Sequence, residues 1–164
     1  MEIDKIFIYP TDTIYGLGCN AESKELVDKI REIKLRDSKP FSIIAPSKEW
    51  ILENFTCDKE LIEKYLPGPY TLILEKKNKL FLPWISNKDT IGIRIPKCEF
   101  TKKLQAQGKP IVTTSVNISG NPFANKIQDI DKEILDQVDW IQDEGELSGK
   151  PSTLVIDGKE IVRA

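Results

Sequence analysis

The most regular stretch of the chain is residues 90–96, Thr-Ile-Gly-Ile-Arg-Ile-Pro, where isoleucine takes every second position. A strand period of two puts Ile91, Ile93 and Ile95 on one face and Thr90, Gly92 and Arg94 on the other. A mid-strand arginine beside a glycine fits two settings: an edge strand open to water, or a sheet face that something approaches closely. Strand-like apolar runs recur at 5–10 (KIFIYP), 41–45 (FSIIA), 70–75 (YTLILE), 111–114 (IVTT) and 140–142. Residues 153–156 and 160–162 flank Asp157-Gly158, a turn pair that predicts a hairpin.

Between these runs the apolar spacing changes. Leu26, Val27, Ile30 and Ile33 recur at helical intervals behind Ser23, a good N-cap. Ser47 and Asp58 are placed to open short helices reaching residues 54 and 66, the second stopped by Pro67-Gly68-Pro69. Further helices are expected over 100–107, with Gly108 as the stop, and over 127–138. Residues 11–18 read as a polar glycine-bearing loop, 76–79 as a solvated charged turn, and 143–151 as an acidic, flexible loop. Strands alternate with helices across short gaps, without repeats or low-complexity linkers, so the expectation is one α/β domain over residues 1–164.

Composition narrows the chemistry. The chain has 164 residues, 40% hydrophobic and 30% charged, the balance of a soluble globular protein. It has no apolar run long enough for a bilayer, and its first residues carry acids where a secretion signal carries bases. A cytoplasmic protein without membrane contact is expected. The net charge of −2 argues against a strongly basic nucleic-acid binder, while leaving room for a local patch. The 3 cysteines form no CxxC pair, which fits a reducing compartment rather than a disulfide framework or zinc cage. The absence of histidine removes Ser-His and Cys-His dyads and most transition-metal sites, so no protein-held metal is expected. Lysine, arginine, carboxylates, hydroxyls, backbone groups or a bound cation must then do the work.

Residues 29–41 are the main candidate. Lys34, Arg36 and Lys39 end an amphipathic helix just before Pro40, which disfavours helix at the residue preceding it. Such cations suit the negative end of a helix dipole; they equally suit an anion site, most simply a nucleotide's phosphates. The loop at 11–18, with Thr, Asp and two glycines directly after a strand, is either a tight turn or a ligand loop. It lacks both the GxGxxG pattern and the Walker ending, which excludes ordinary dinucleotide and P-loop sites. Thr113, Ser115 and Asn117 share parity and, if extended, present donors and acceptors to one side; the alternative is a hydroxyl-rich turn. Arg163, near the end of the sequence, reads by itself as a solvated charge.

Taken together and in order, YPTDTIYGLG (9–18), Lys34-x-Arg36 with Lys39-Pro40-Phe41, PGPYTLIL (67–74), IGIRIP (91–96), TSVNISG (114–120) and GKPSTLV (149–155) resemble the YrdC-domain proteins, the threonylcarbamoyl-AMP synthases. The resemblance covers essentially the whole chain and is similar to the short, single-domain form. It implies an open, twisted sheet of mixed parallel and antiparallel strands, flanked by helices, with a large basic cavity. It implies conversion of L-threonine, bicarbonate and ATP, the last with Mg2+ and no permanently bound cofactor, to threonylcarbamoyl-adenylate and pyrophosphate. A downstream transferase complex would then modify tRNAs reading ANN codons; direct contact with tRNA or other RNA stays open.

By position, the resemblance gives Lys34 and Arg36 the catalytic, phosphate-holding role. It gives Lys39, Thr90, Ser115, Asn117 and Arg163 further ATP contacts, and Thr13, Arg94, Thr113 and Ser152 the threonine contacts. The sequence departs from the family pattern in places. The segment from Arg36 to Pro40 is one residue short, Val116 replaces an alanine, Phe123 stands where a small polar residue is common, and no glycine follows Arg163. Two other readings remain: a non-catalytic RNA-binding module of the same fold, and a carbamoyl-adenylate enzyme for another substrate.

Overall fold

Short strands with alternating apolar residues pair into one ten-stranded sheet in the computed structural model, which describes residues 1–36 and 38–163. In chain order the strands are β1 (Phe7–Tyr9), β2 (Gly16–Gly18), β3 (Ser42–Ile44), β4 (Phe55–Thr56), β5 (Tyr70–Lys76), β6 (Thr90–Arg94), β7 (Ile111–Ser115), β8 (Trp140–Ile141), β9 (Thr153–Ile156) and β10 (Lys159–Ile161). The helices are α1 (Lys24–Lys34), α2 (Lys48–Asn54), α3 (Lys59–Tyr65), α4 (Glu99–Gln105) and α5 (Lys132–Leu135). The spatial order is β10-β9-β5-β6-β3-β7-β2-β1-β8, with β4 added beside β5. β3 runs parallel to β6, β5 to β9 and β1 to β8; the other neighbours are antiparallel. The sheet is therefore mixed, as expected.

Helix ends follow local chemistry. Ser23 and Ser47 accept from the backbone N–H groups of Leu26 and Trp50 and open α1 and α2. α1 stops because Leu35 adopts a left-handed conformation, φ 52°, and its N–H turns back to the last carbonyls.

The two faces of the sheet differ. Ile43, Leu72, Leu74, Ile91, Ile93, Val112 and Leu17 point to one side, where α1, α2, α3 and α5 bury them with Val27, Ile30, Ile51, Ile62 and Ile134. On the other side a smaller cluster of Phe7, Tyr9, Ile44 and Ile111 lies under Phe100 and Leu104 of α4. Beyond α4 that same face carries Ser42, Thr71, Arg94 and Thr113 around an open cavity.

Several expectations are corrected. Gly16-Leu17-Gly18 is not loop but strand, paired with both β1 and β7. The glycines are required by close approach: a Cβ on Gly18 would stand 2.3 Å from the Val112 carbonyl oxygen and 2.8 Å from the Tyr9 ring. Lys76 is not a solvated turn residue; it is the buried end of β5, and its Nζ donates to Ser86 O at 2.8 Å. The single helix expected over 127–138 is broken into a short 3-10 turn, Ile127–Asp129, and α5. Ile130 between them is extended, φ −80° and ψ 135°, and buried, so its side chain reaches the core at the expense of helical continuity.

Candidate active site

The cavity has a volume of about 300 Å³. Its floor is the alternate-residue row of the central strands. Ser42 of β3 lies directly opposite Gly92 on one side and Thr113 on the other, and Ser115 lies opposite Gly16. Among the described residues its lining includes the three arginines Arg36, Arg94 and Arg163 and no carboxylate. A cleft with this excess of fixed positive charge favours an anionic ligand.

Arg94 is the best-held of the three. β6 is flanked by β5 and β3, so the edge-strand reading fails. The close approach that Gly92 permits is made by the sheet itself: a Cβ there would lie 2.4 Å from Ser42 Oγ and 2.9 Å from Thr71 Cγ2. Arg94 is 5% exposed. Its Nη2 donates to Asp12 Oδ1 at 2.5 Å, Nη1 to Thr13 Oγ1 at 3.3 Å, and Nε to Tyr70 O at 3.4 Å. Asp12 is itself aimed by the Lys97 N–H, 2.9 Å from Oδ2. A guanidinium has about five N–H groups, so about two remain, the number a carboxylate needs for paired contacts.

The 11–14 loop is stiffened by its own hydroxyls. Thr11 Oγ1 donates to Ile14 O at 2.7 Å and accepts from Thr13 N at 3.1 Å. Across the cavity, Ser152 Oγ pairs with Thr71 Oγ1 at 2.6 Å and accepts from Arg163 Nη2 at 2.7 Å, while Arg163 Nε donates to Ser152 O at 2.9 Å. Arg163 is otherwise exposed. The Tyr15 hydroxyl donates to Gly145 O at 2.6 Å and accepts from Glu144 N at 2.9 Å, and Ser148 Oγ donates to Thr13 O at 3.0 Å. These bonds tie the 143–149 loop to the cavity wall.

Lys34 and Arg36 part company. Lys34 is 1% exposed, and its Nζ donates to Ser115 O at 2.5 Å, Asn117 O at 2.9 Å and Asn117 Oδ1 at 2.9 Å. About three N–H groups are all an ammonium has, so each is engaged. Burial first, and Arg36 second, pull this ammonium down to about 7. Arg36 faces the cavity, with Nη2 donating to Pro40 O at 2.5 Å and its guanidinium 4.9 Å from the centre of the Phe41 ring. Burial, then Arg31, lowers its pKa from the ordinary arginine value.

The cavity thus gathers Thr13, Arg36, Arg94, Thr113, Ser115, Ser152 and Arg163. Lys34 and Asn117 stand behind Ser115, which donates to Asn117 Oδ1 at 2.6 Å. Besides Lys34 and Asn117, two more expected ATP contacts fall outside the lining. Thr90 begins β6, about 13 Å along the strand from Arg94, and its carbonyl accepts from Ser86 Oγ. Lys39 is exposed. Tyr15, Ser42 and Thr71 also line the cavity. Sequence reasoning did not single them out: strand pairing brings Ser42 and Thr71 round, and Tyr15 stands just before β2 in the 11–18 stretch. Phe123 lines it too, as an apolar wall. Among the described residues no group of three or more Cys, Asp or Glu side chains is placed to hold a metal ion.

A family model described as "Telomere recombination", the Sua5/YciO/YrdC domain, matches residues 1–164. The chain belongs to this family. It is 42% identical over 156 residues to a putative threonylcarbamoyl-AMP synthase of Methanocaldococcus jannaschii, covering 92% of this chain and 73% of that protein. It is 30% identical over 166 residues to the threonylcarbamoyl-AMP synthase of Vibrio campbellii, covering 94% and 88%. Among solved structures, P. abyssi Sua5 complexed with L-threonine matches with a TM-score of 0.84 at 32% identity, over 95% of this chain and 48% of that one. E. coli YciO matches with a TM-score of 0.82 at 28% identity, over 97% and 82%. The chain spans about half the length of the Sua5 chain.

Proposed function

We propose that this chain is a nucleotidyltransferase that makes threonylcarbamoyl-adenylate from L-threonine, bicarbonate and ATP and releases pyrophosphate. The observation that carries the reading is the cavity's charge: among the described residues it is lined by three arginines and several hydroxyl groups and by no carboxylate, in a space of about 300 Å³. In this reading Arg94 clamps the threonine carboxylate with its two remaining N–H groups, beside Thr13, Thr113 and Ser152. Arg36 and Arg163 meet the phosphates, and Ser115 meets the nucleotide. Lys34 holds the Ser115–Asn117 turn in place, and reaches a phosphate only by releasing an oxygen it now binds.

The chemistry needs no covalent protein intermediate. The threonine amine adds to carbon dioxide with loss of its proton to solvent, or to bicarbonate with loss of water, giving a carbamate. A carbamate oxygen attacks the α-phosphorus, the α–β bond breaks and pyrophosphate leaves. The protein contributes position and fixed positive charge. Mg2+ would enter with ATP as part of the substrate and needs no protein cage, which suits a lining without carboxylates among the described residues. The adenylate is then the substrate of a threonylcarbamoyl transferase acting on tRNA. No helix of the described residues is long and apolar enough to cross a membrane.

The test is pyrophosphate release from ATP and Mg2+, with threonine and bicarbonate each omitted in turn. Dependence on both, with an adenylate of the expected mass, is the expected result. Release in the absence of threonine points to another amine substrate. No release in any mixture, from a folded protein that binds RNA, overturns the enzyme reading.

A further inference from the structure

One half-buried cation is not used by the proposed reaction. Arg31 lies in the last turn of α1 and does not line the cavity. Its guanidinium is bonded to backbone carbonyls from two other segments. Nη1 donates to Lys39 O at 2.6 Å, and Nη2 donates to Trp84 O at 2.8 Å and Ile85 O at 3.1 Å. It also lies over the Phe41 ring, 4.3 Å from the centroid. Arg36 lies over the same ring at 4.9 Å. The Phe41 N–H donates to Ile85 O, a carbonyl that Arg31 also holds.

Arg36 needs such support. It sits beyond the left-handed end of α1, outside helix and strand. Its backbone N–H donates to Arg31 O at 2.9 Å, and its guanidinium meets the Pro40 carbonyl and the Phe41 ring. Both belong to the short segment that Arg31 grips, at Lys39 by hydrogen bond and at Phe41 by stacking. A planar fork that bonds carbonyls and stacks on a ring at once is a property of arginine and not of lysine. The contact also brings two like charges to one ring, and an anion entering beside Arg36 relieves that repulsion.

We infer that Arg31 is a positioning residue for the phosphate-binding part of the cavity: it braces the segment up to Phe41 so that Arg36 presents its free donors to a polyphosphate. This rests on the proposed function only in taking a polyphosphate as what Arg36 meets. It gives residues 84–85, far from the cavity's own motifs, a part in ligand binding.

The test is a double-mutant cycle on the full chain, read by calorimetric binding of pyrophosphate and, separately, by the KM values for ATP and threonine. Arg31→Gln should weaken pyrophosphate binding and raise the ATP KM by about tenfold, with the threonine KM within about twofold of wild type. In an Arg36→Ala background the same change should have no further effect, since its route is already cut. Arg31→Lys should fall short of wild type despite keeping the charge. Phe41→Leu, which keeps an apolar side chain and removes the ring, should repeat the non-additivity and serves if Arg31→Gln melts below the assay temperature. Equal losses in both backgrounds, or a threonine KM rising in step with that for ATP, overturn the inference. Wild-type protein that binds pyrophosphate without making adenylate overturns the reaction and leaves this inference to the binding cycle. Wild-type protein that binds no pyrophosphate overturns both.

Discussion

The two faces of β6, β3 and β7 are built from alternate residues of the same short strands, yet one is closed and the other open. Ile91, Ile93, Ile43 and Val112 lie under helices in the main core. Gly92, Arg94, Ser42 and Thr113 face the opposite way, and α4 covers only the part of that face next to β1 and β7. One residue's step along a strand therefore separates what holds the fold from what meets a ligand. The open face still depends on the closed one, because the position of Arg94 is set by strand pairing.

The largest effect should come from cutting into the closed face. Ile93→Ala removes a fully buried side chain and should cost about 2–5 kcal/mol of stability, read by denaturant unfolding, while protein that remains folded keeps its threonine affinity. Arg94→Ala is the counterpart on the open face. It should weaken threonine binding by about 1.5–3 kcal/mol, and calorimetry with unchanged affinity would sink the assigned clamp. It should also lower the melting temperature, because Asp12, with its side chain 10% exposed, loses its ion-pair partner.

Gly92→Ala tests whether the division between faces is complete. The added methyl would meet Ser42 Oγ and Thr71 Cγ2, so an open-face change should cost about 1–3 kcal/mol of stability. A variant as stable as wild type would show that Ser42 and Thr71 yield freely. The smallest effect concerns pH. Burial lowers Lys34 to about 7 in the folded chain, against about 10.4 when unfolded. Between those values the unfolded state binds the proton better, so the Lys34 contribution makes the protein more stable as pH rises from 7, by at most about 1.4 kcal/mol per pH unit. Melting curves at pH 7 and pH 8.5 should differ more in wild type than in Lys34→Met.

Much of this was legible in the sequence where side chains carry a period. The alternation at 90–96 put Arg94 opposite the isoleucines, Ser23 marked the start of α1, and Asp157-Gly158 marked the last hairpin, closed by β9 and β10 pairing. What escaped lacks such a pattern. β2 is largely glycine, which shows no periodicity. Lys76 looks solvated until Ser86 is brought round to accept from it. Thr71 enters the site only through the pairing of β5 with β6. Thr90 was placed at ATP by resemblance alone and Lys39 by the run of cations before Pro40 as well, and the geometry leaves both off the cavity lining. Arg31 gave no signal, because its partners are carbonyls that any residue could supply.

Leu35 has a consequence of its own. It is a leucine with φ 52°, 72% exposed, between the two cations of the Lys34-x-Arg36 pair. A side chain in that conformation is disfavoured by about 1–2 kcal/mol, so the junction behaves as a loaded spring rather than a passive link. It reverses the local hand of the backbone within one residue. Two positive charges two positions apart are thereby sent to different tasks, one into the support behind Ser115 and one into the cavity, with only Leu35 between them.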